Sequence, residues 1–123
     1  MTIILHMTPR SRWEAALENG QLTADSLERE GFIHCSFPDQ LERVANKHYR
    51  GLTDLVLLCI EAEQVGSEVR YEGPIDPHTG QPEPERELYG HVYGPIDVGS
   101  VVKVIDFPPN PDGSFSLPSG IPI

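Results

Sequence analysis

The segment Gly31-Phe32-Ile33-His34-Cys35-Ser36-Phe37-Pro38-Asp39-Gln40 sets an imidazole, a thiol and a hydroxyl at consecutive positions. Such a triplet contains the parts of a nucleophile with its base, or of a metal site. Its flanks read as a strand, and strand side chains alternate between faces, so three neighbours cannot act as a unit. With Ile33, Cys35 and Phe37 turned to the core, His34 and Ser36 share the opposite face. A reactive cysteine needs a thiolate in an electropositive, accessible setting. Cys35 in an apolar row is therefore read as structural, and Cys59 within "LVLLCI" more plainly so. His34 and Ser36 remain, against the plainer readings of a polar strand-edge residue and a helix N-cap.

Strand parity picks out two further places. His6 closes "IILH" and shares a face with Ile4, away from Ile3 and Leu5. In "LYGHVYGP", Tyr89, His91 and Tyr93 share one face while Gly90, Val92 and Gly94 occupy the other. Three strands thus each present a histidine where Val or Ile would serve structure better, which points to a cleft between strands. Neutral imidazole can hold a ribose hydroxyl or shuttle a proton. Tyrosine rings can stack on a planar heterocycle, and glycine backbone allows close approach by a ligand or a neighbouring strand. Zinc held by His6, His34 and His91 is a further use, but no Cys or carboxylate stands at ligand spacing beside them. The expectation is no tightly bound metal and no tightly bound cofactor.

These residues need elements to position them. "TIILH" reads as a buried strand. Ser11-Arg12-Trp13-Glu14 has the capping-box form and Gly20 supplies a stop, so a helix is predicted between them, with Trp13, Ala16 and Leu17 on its inner face. Ser36 opens a second helix in which Leu41, Val44, Ala45 and His48 keep helical spacing, ending at Gly51. "DLVLLCIEAE" has the continuous apolar run of a strand covered on both faces. "SEVRYEG" alternates, with Val69 and Tyr71 on one side. The stretch over 73–87 is a Pro- and Gly-rich surface loop, and "LYGHVYG" and "VGSVVKVIDF" are strands. The class is α+β, with five or six short strands and two helices in the N-terminal half.

At 123 residues the chain is read as one domain over 1–107, followed by a Pro/Gly-rich tail over 108–123 that lies on the surface or frays. Nine Lys and Arg against nineteen Asp and Glu give a formal charge of −10. That sign repels phosphate backbones and anionic lipid, so neither nucleic acid nor membrane is an expected partner. A local basic pocket stays open, although Arg10, Arg12, Arg70 and Arg86 are scattered in sequence. The opening "MTIILHMTPRSR" has neither a signal-peptide pattern nor a spanning run, and two cysteines without CxxC argue against a disulfide scaffold. The expectation is a soluble cytoplasmic protein with free thiols.

His6 closing the first strand, then "GFIHCSFPDQLERVANKHY", then "HVYGPI" resemble the bacterial family called domain of unknown function 952, over residues 2 to about 107. That family is distantly similar to the ADP-ribosyltransferase fold, a split pair of small, mostly antiparallel sheets that grips NAD. The resemblance implies that His6 contacts the nicotinamide ribose, that Ser36 matches a polar strand-end position, and that Tyr49 or Tyr93 stacks on the nicotinamide. His34 lies beside them as a ligand-binding residue. The third motif departs from the pattern: the nearest candidates are Glu87 and His91, and neither sits in an E-x-E or Q-x-E pair. RNA 2'-phosphotransferases of similar fold hold phosphate with arginines, and no Arg occupies a matching strand position. Two functions follow: an enzyme acting on NAD or an ADP-ribosylated substrate by transfer or hydrolysis, with His6, His91 and Glu87 catalytic, or a non-enzymatic binding module for a nucleotide-like ligand.

Overall fold

The computed structural model describes residues 1–74, 78–81 and 87–122. From the N-terminus, β1 (Ile3–Pro9) runs into α1 (Arg10–Asn19), β2 (Gln21–Leu22) and α2 (Asp25–Glu30). Next come β3 (Ile33–Cys35), α3 (Pro38–His48), β4 (Leu55–Glu61) and β5 (Val69–Glu72). The order closes with β6 (Tyr89–Val92), β7 (Ile96–Asp97) and β8 (Val101–Asp106).

β4 organises the core. It lies between β1 and β8 in an antiparallel sheet, and its alternating side chains enter two apolar clusters. Val56, Leu58 and Ile60 join Ile4, Trp13 and Ile33 on one side, while Leu55, Leu57 and Cys59 join Leu41, Phe107 and Phe115 on the other. This is why the run had to be apolar throughout. Burying each of these larger side chains contributes about 1.5–3 kcal/mol.

A second antiparallel sheet has the order β3-β6-β5, and its register sets His34 opposite His91 and His91 opposite Arg70. Gly90 sits between Cys35 and Tyr71 in that register, where an added Cβ would come into ordinary van der Waals contact with Ile4 at 3.4 Å and Cys35 at 3.5 Å. The two sheets touch at one bridge, in which Leu5 and Ser36 exchange both backbone N–H···O bonds at 2.8 Å. β2 and β7 form a separate two-stranded pair.

The architecture is α+β as predicted, with three sheets rather than a pair and three α-helices rather than two among the described residues. α2 went unpredicted because it buries none of its residues, and so lacks the apolar periodicity that marks a helix in sequence. α1 begins earlier than the Ser11 signal. Pro9 enters it with φ −59°, the Arg10 N–H bonds the Asp54 carbonyl, and no side chain caps the end. Trp13 and Ala16 are buried, but Leu17 is 56% exposed. α3 starts after Phe37 rather than Ser36: Pro38 takes the first turn, and the Phe37 N–H donates to Gln40 Oε1 at 2.9 Å. The Ser36 backbone is already committed to Leu5, which removes it from the cap. Part of the loop expected over 73–87, Arg86 included, lies outside the described residues. No described helix is long and apolar enough to cross a membrane.

The tail has no helix or strand over 108–122, as its Pro and Gly content predicts, yet it is fastened. Phe115 is fully buried and stacks on Phe107 at 4.9 Å. Asn46 on α3 both accepts from the Phe115 N–H at 2.7 Å and donates to its carbonyl at 3.0 Å. Phe115→Ala should therefore cost about 3–5 kcal/mol of stability in urea denaturation. A loss below about 0.5 kcal/mol, the size of an ordinary surface change, would mean that the tail frays instead.

Candidate functional site

Where β1 and β3 part beyond the Leu5–Ser36 bridge, His6 Nδ1–H donates to the His34 carbonyl at 2.7 Å. A carbonyl only accepts, so Nδ1 carries the proton and Nε2 of the neutral ring is an acceptor. Burial pulls the His6 pKa down to about 4, against the raising effect of the His34 carbonyl, so the ring is neutral at physiological pH. Nε2 makes no hydrogen bond among the described residues, nor do the Thr8 and Ser36 hydroxyls. Since no fully shielded polar side-chain atom lacks a partner, these three atoms keep a small exposure although their residues are buried. Thr8 lies two residues beyond His6 on the same strand face.

The second sheet brings a different group. His91 Nδ1–H donates to Glu72 Oε1 at 2.9 Å, with both side chains largely buried, and the Tyr93 hydroxyl donates to the same oxygen. Burial lowers the His91 pKa more than Glu72 raises it. Burial also pushes Glu72 up, but the hydrogen bonds from Tyr93 and His91 outweigh it and leave the carboxyl below its usual range. The pair is thus a carboxylate beside a neutral imidazole. Phe32 stacks on His91 at 4.1 Å, and His34 meets His91 edge-on at 5.5 Å. His34 Nε2 pairs with Glu30 Oε2 at 2.7 Å in an exposed contact.

These strands floor a cleft of about 950 Å³. β1 contributes His6 and Thr8, β3 contributes His34, and Ser36 follows it; β6 contributes Tyr89 and His91. α2 adds Arg29 and Glu30, α3 adds Arg43, Lys47 and His48, and Tyr49 and Glu87 complete the wall. Among the described residues, four of the five histidines and four of the eight Lys and Arg line it, against three of the sixteen carboxylates. Those three are all engaged: Asp25 with Arg12, Glu30 with His34, Glu87 with Arg43. Arg29 and Lys47 have no carboxylate partner among the described residues, so the described lining sets four cations against three carboxylates in an anionic protein.

The structure therefore brings His6, His34, Ser36, Tyr49, Glu87 and His91 to one cleft. Tyr93 is not in its lining. Its hydroxyl is turned to Glu72, its ring lies under the Arg70 guanidinium at 4.5 Å, and its pKa is pushed up to about 12 by burial and then by Glu72. Glu87 sits at the mouth in an exposed ion pair, whereas the carboxylate that touches His91 is Glu72. Glu72 was missed although it was readable: on "SEVRYEG" it occupies the polar face with Arg70, and only the pairing of β5 with β6 reveals its partner. Arg29, Arg43 and Lys47 were missed for a similar reason, since α2 was not foreseen and α3 was read for its apolar face. Cys35 borders the cleft but is 2% exposed, and burial pushes its thiol up to about 12; burial raises Cys59 as well. Among the described residues no three His, Cys, Asp or Glu side chains converge as metal ligands.

The family model described as protein of unknown function (DUF952) matches residues 7–104. The crystal structure of protein CC0527 from Caulobacter crescentus is 30% identical, with a TM-score of 0.79 over 94% of this chain and 95% of that one. The solution structure of CC0527 matches with a TM-score of 0.75 over 95% and 94%. Among curated proteins none matches the chain.

The neutral, buried state of His6 has a measurable consequence. The unfolded ring titrates near 6.5 and the folded one near 4, so this contribution to stability is whole above about pH 6.5 and is lost as pH falls toward 4. At roughly 1.4 kcal/mol per pH unit it amounts to about 3 kcal/mol. Replacing His6 by Gln should flatten the fall in stability across that window, followed by urea denaturation at a series of pH values. An unchanged slope would place the His6 titration near its ordinary value.

Proposed function

The chain belongs to the DUF952 family, whose description names no activity, and we propose its function from the cleft: it binds an anionic, nucleotide-like small molecule there and acts on it. NAD or an ADP-ribosylated substrate, undergoing ribosyl transfer or hydrolysis, is the ligand class that suits the lining. One observation carries this reading. A chain of formal charge −10 gathers four of its five imidazoles and, among the described residues, two cations without a carboxylate partner in a single cleft. Such focusing raises the local concentration of anions despite the sign of the whole molecule.

The roles follow from the chemistry of each group. His6 Nε2 accepts from a ribose hydroxyl, and the Ser36 and Thr8 hydroxyls complete that polar floor. Arg29 and Lys47 face the phosphate charge, and a Tyr49 or Tyr89 ring stacks on the base or nicotinamide. Two three-stranded sheets parting from one bridge resemble the split pair of the ADP-ribosyltransferase fold, which supports the ligand class and leaves the activity to the site.

A second reading, a binding module without turnover, is favoured by the state of the carboxylates. Every described carboxylate lining the cleft is engaged by a cation or an imidazole, so among the described residues none stands free to stabilise an oxocarbenium-like centre.

Calorimetry with NAD, ADP-ribose and nicotinamide tests both, with nicotinamide release followed alongside. Binding that weakens with added salt supports the common premise, and release separates enzyme from module. His6→Ala should weaken binding by about 1–3 kcal/mol, because a buried ligand hydroxyl loses its acceptor. Cys35→Ala should bind as wild type. No heat with any of the three at millimolar concentration would end the nucleotide reading.

A further inference from the structure

Among the described residues, one contact between a carboxylate and a basic side chain is buried. His91 and Glu72 are 3% and 13% exposed at their side chains, while every other pair is at least 38% exposed at both partners. Taking a carboxylate out of water is costly unless its oxygens are well satisfied. Glu72 Oε1 accepts from two donors, His91 Nδ1–H and the Tyr93 hydroxyl. A carboxylate that accepts from Nδ1 fixes the tautomer, so the lone pair of the neutral ring sits on Nε2. Phe32 stacked on one face, with the two planes 27° apart, and His34 at the edge restrain the ring. Nε2 has no partner among the described residues, and His91 lines the cleft. A purely structural strand would place an aliphatic residue at this position, as it does at the neighbouring Val92.

We propose that His91 is the general base of the cleft, and that Glu72 is the positioning residue that aims its Nε2 lone pair at a hydroxyl delivered by water or an alcohol. In that step the hydroxyl oxygen bonds to an electrophilic centre of the ligand, and its proton passes to Nε2. The leaving group departs with the electron pair of the broken bond. Glu72 remains a carboxylate throughout and stabilises the imidazolium. The assignment rests on the cleft being the site proposed above, but its test uses no nucleotide, so the two can fail separately.

The groups facing His91 are Glu72 and Arg70 from β5, Tyr93 just beyond β6, His34 from β3 and Glu30 from α2. The full chain is used, first for long-range proton–nitrogen correlation spectra of its histidines. His91 should appear as the Nδ1–H tautomer at about pH 7.5, where an imidazole is largely neutral; an Nε2–H tautomer overturns the assignment. The second readout is hydrolysis of p-nitrophenyl acetate, an activated ester that reports an open imidazole base. His91→Gln should lower the rate by about tenfold or more, and a wild-type rate overturns the proposal. Glu72→Gln should move the midpoint of the pH–rate profile downward, since the carboxylate that favours imidazolium is gone; a merely structural Glu72 would leave it in place. Should Glu72→Gln fail to fold, Tyr93→Phe strips a competing donor from the same oxygen and should move the midpoint upward. An unmoved midpoint in the folded variant refutes the role of Glu72.

Discussion

Two hydrogen bonds between Leu5 and Ser36 decide where this protein has a cleft. They hold two three-stranded sheets together at a single rung, and on either side of that rung the strands separate. Backbone groups freed by the separation must find other partners or meet water. The His34 carbonyl finds the His6 ring, so one imidazole is spent on closing the gap and its second nitrogen is left open. Had β1 and β3 zipped along their length, the carbonyl would have been satisfied by backbone and His6 would have had no reason to be there. The same rung ties up the Ser36 backbone, displaces the helix cap to Phe37, and leaves the Ser36 hydroxyl for the cleft.

Charge follows the same division. The cations that matter are on α2 and α3, which frame the opening, while the strands beneath supply neutral imidazoles and hydroxyls. Buried cations on the floor would have carried a heavy desolvation cost. Histidine avoids it by losing its proton, as the depressed pKa values of His6 and His91 show. The floor is thus polar without being charged, apart from Glu72, whose charge is enclosed by two donors.

Strand parity was enough to separate the thiol from the imidazoles in "IHCS" and to place His6, His34, Ser36 and His91 together, because period-two alternation is local. The unbroken apolar run foretold the doubly covered β4, and helical spacing the buried Trp13. What parity could not supply was pairing. Glu72 and His91 are 19 residues apart and meet only through the β5–β6 register. Tyr93 shares strand parity with His91 but hands its hydroxyl to Glu72, and parity fixes a face without fixing which neighbour a side chain reaches. α2 was invisible for a physical reason: a six-residue helix that sets one half-buried leucine, Leu27, against the core has no apolar stripe to read. The tail misled in the opposite direction, since Pro and Gly exclude regular structure but do not prevent one phenylalanine from anchoring the chain.

That anchor bears on how the molecule behaves in a crowd. β8 ends its sheet, and Val102 and Val104 along it are 49% and 39% exposed. A strand in that position offers unpaired backbone groups to any passing extended chain. Between the two valines, Lys103 reaches out and donates to the Gly120 carbonyl at 2.8 Å, so a proline-rich segment that cannot itself extend a ladder is tethered to the rim. Phe115 thus secures, a few residues upstream, the segment that Lys103 holds against this outer strand.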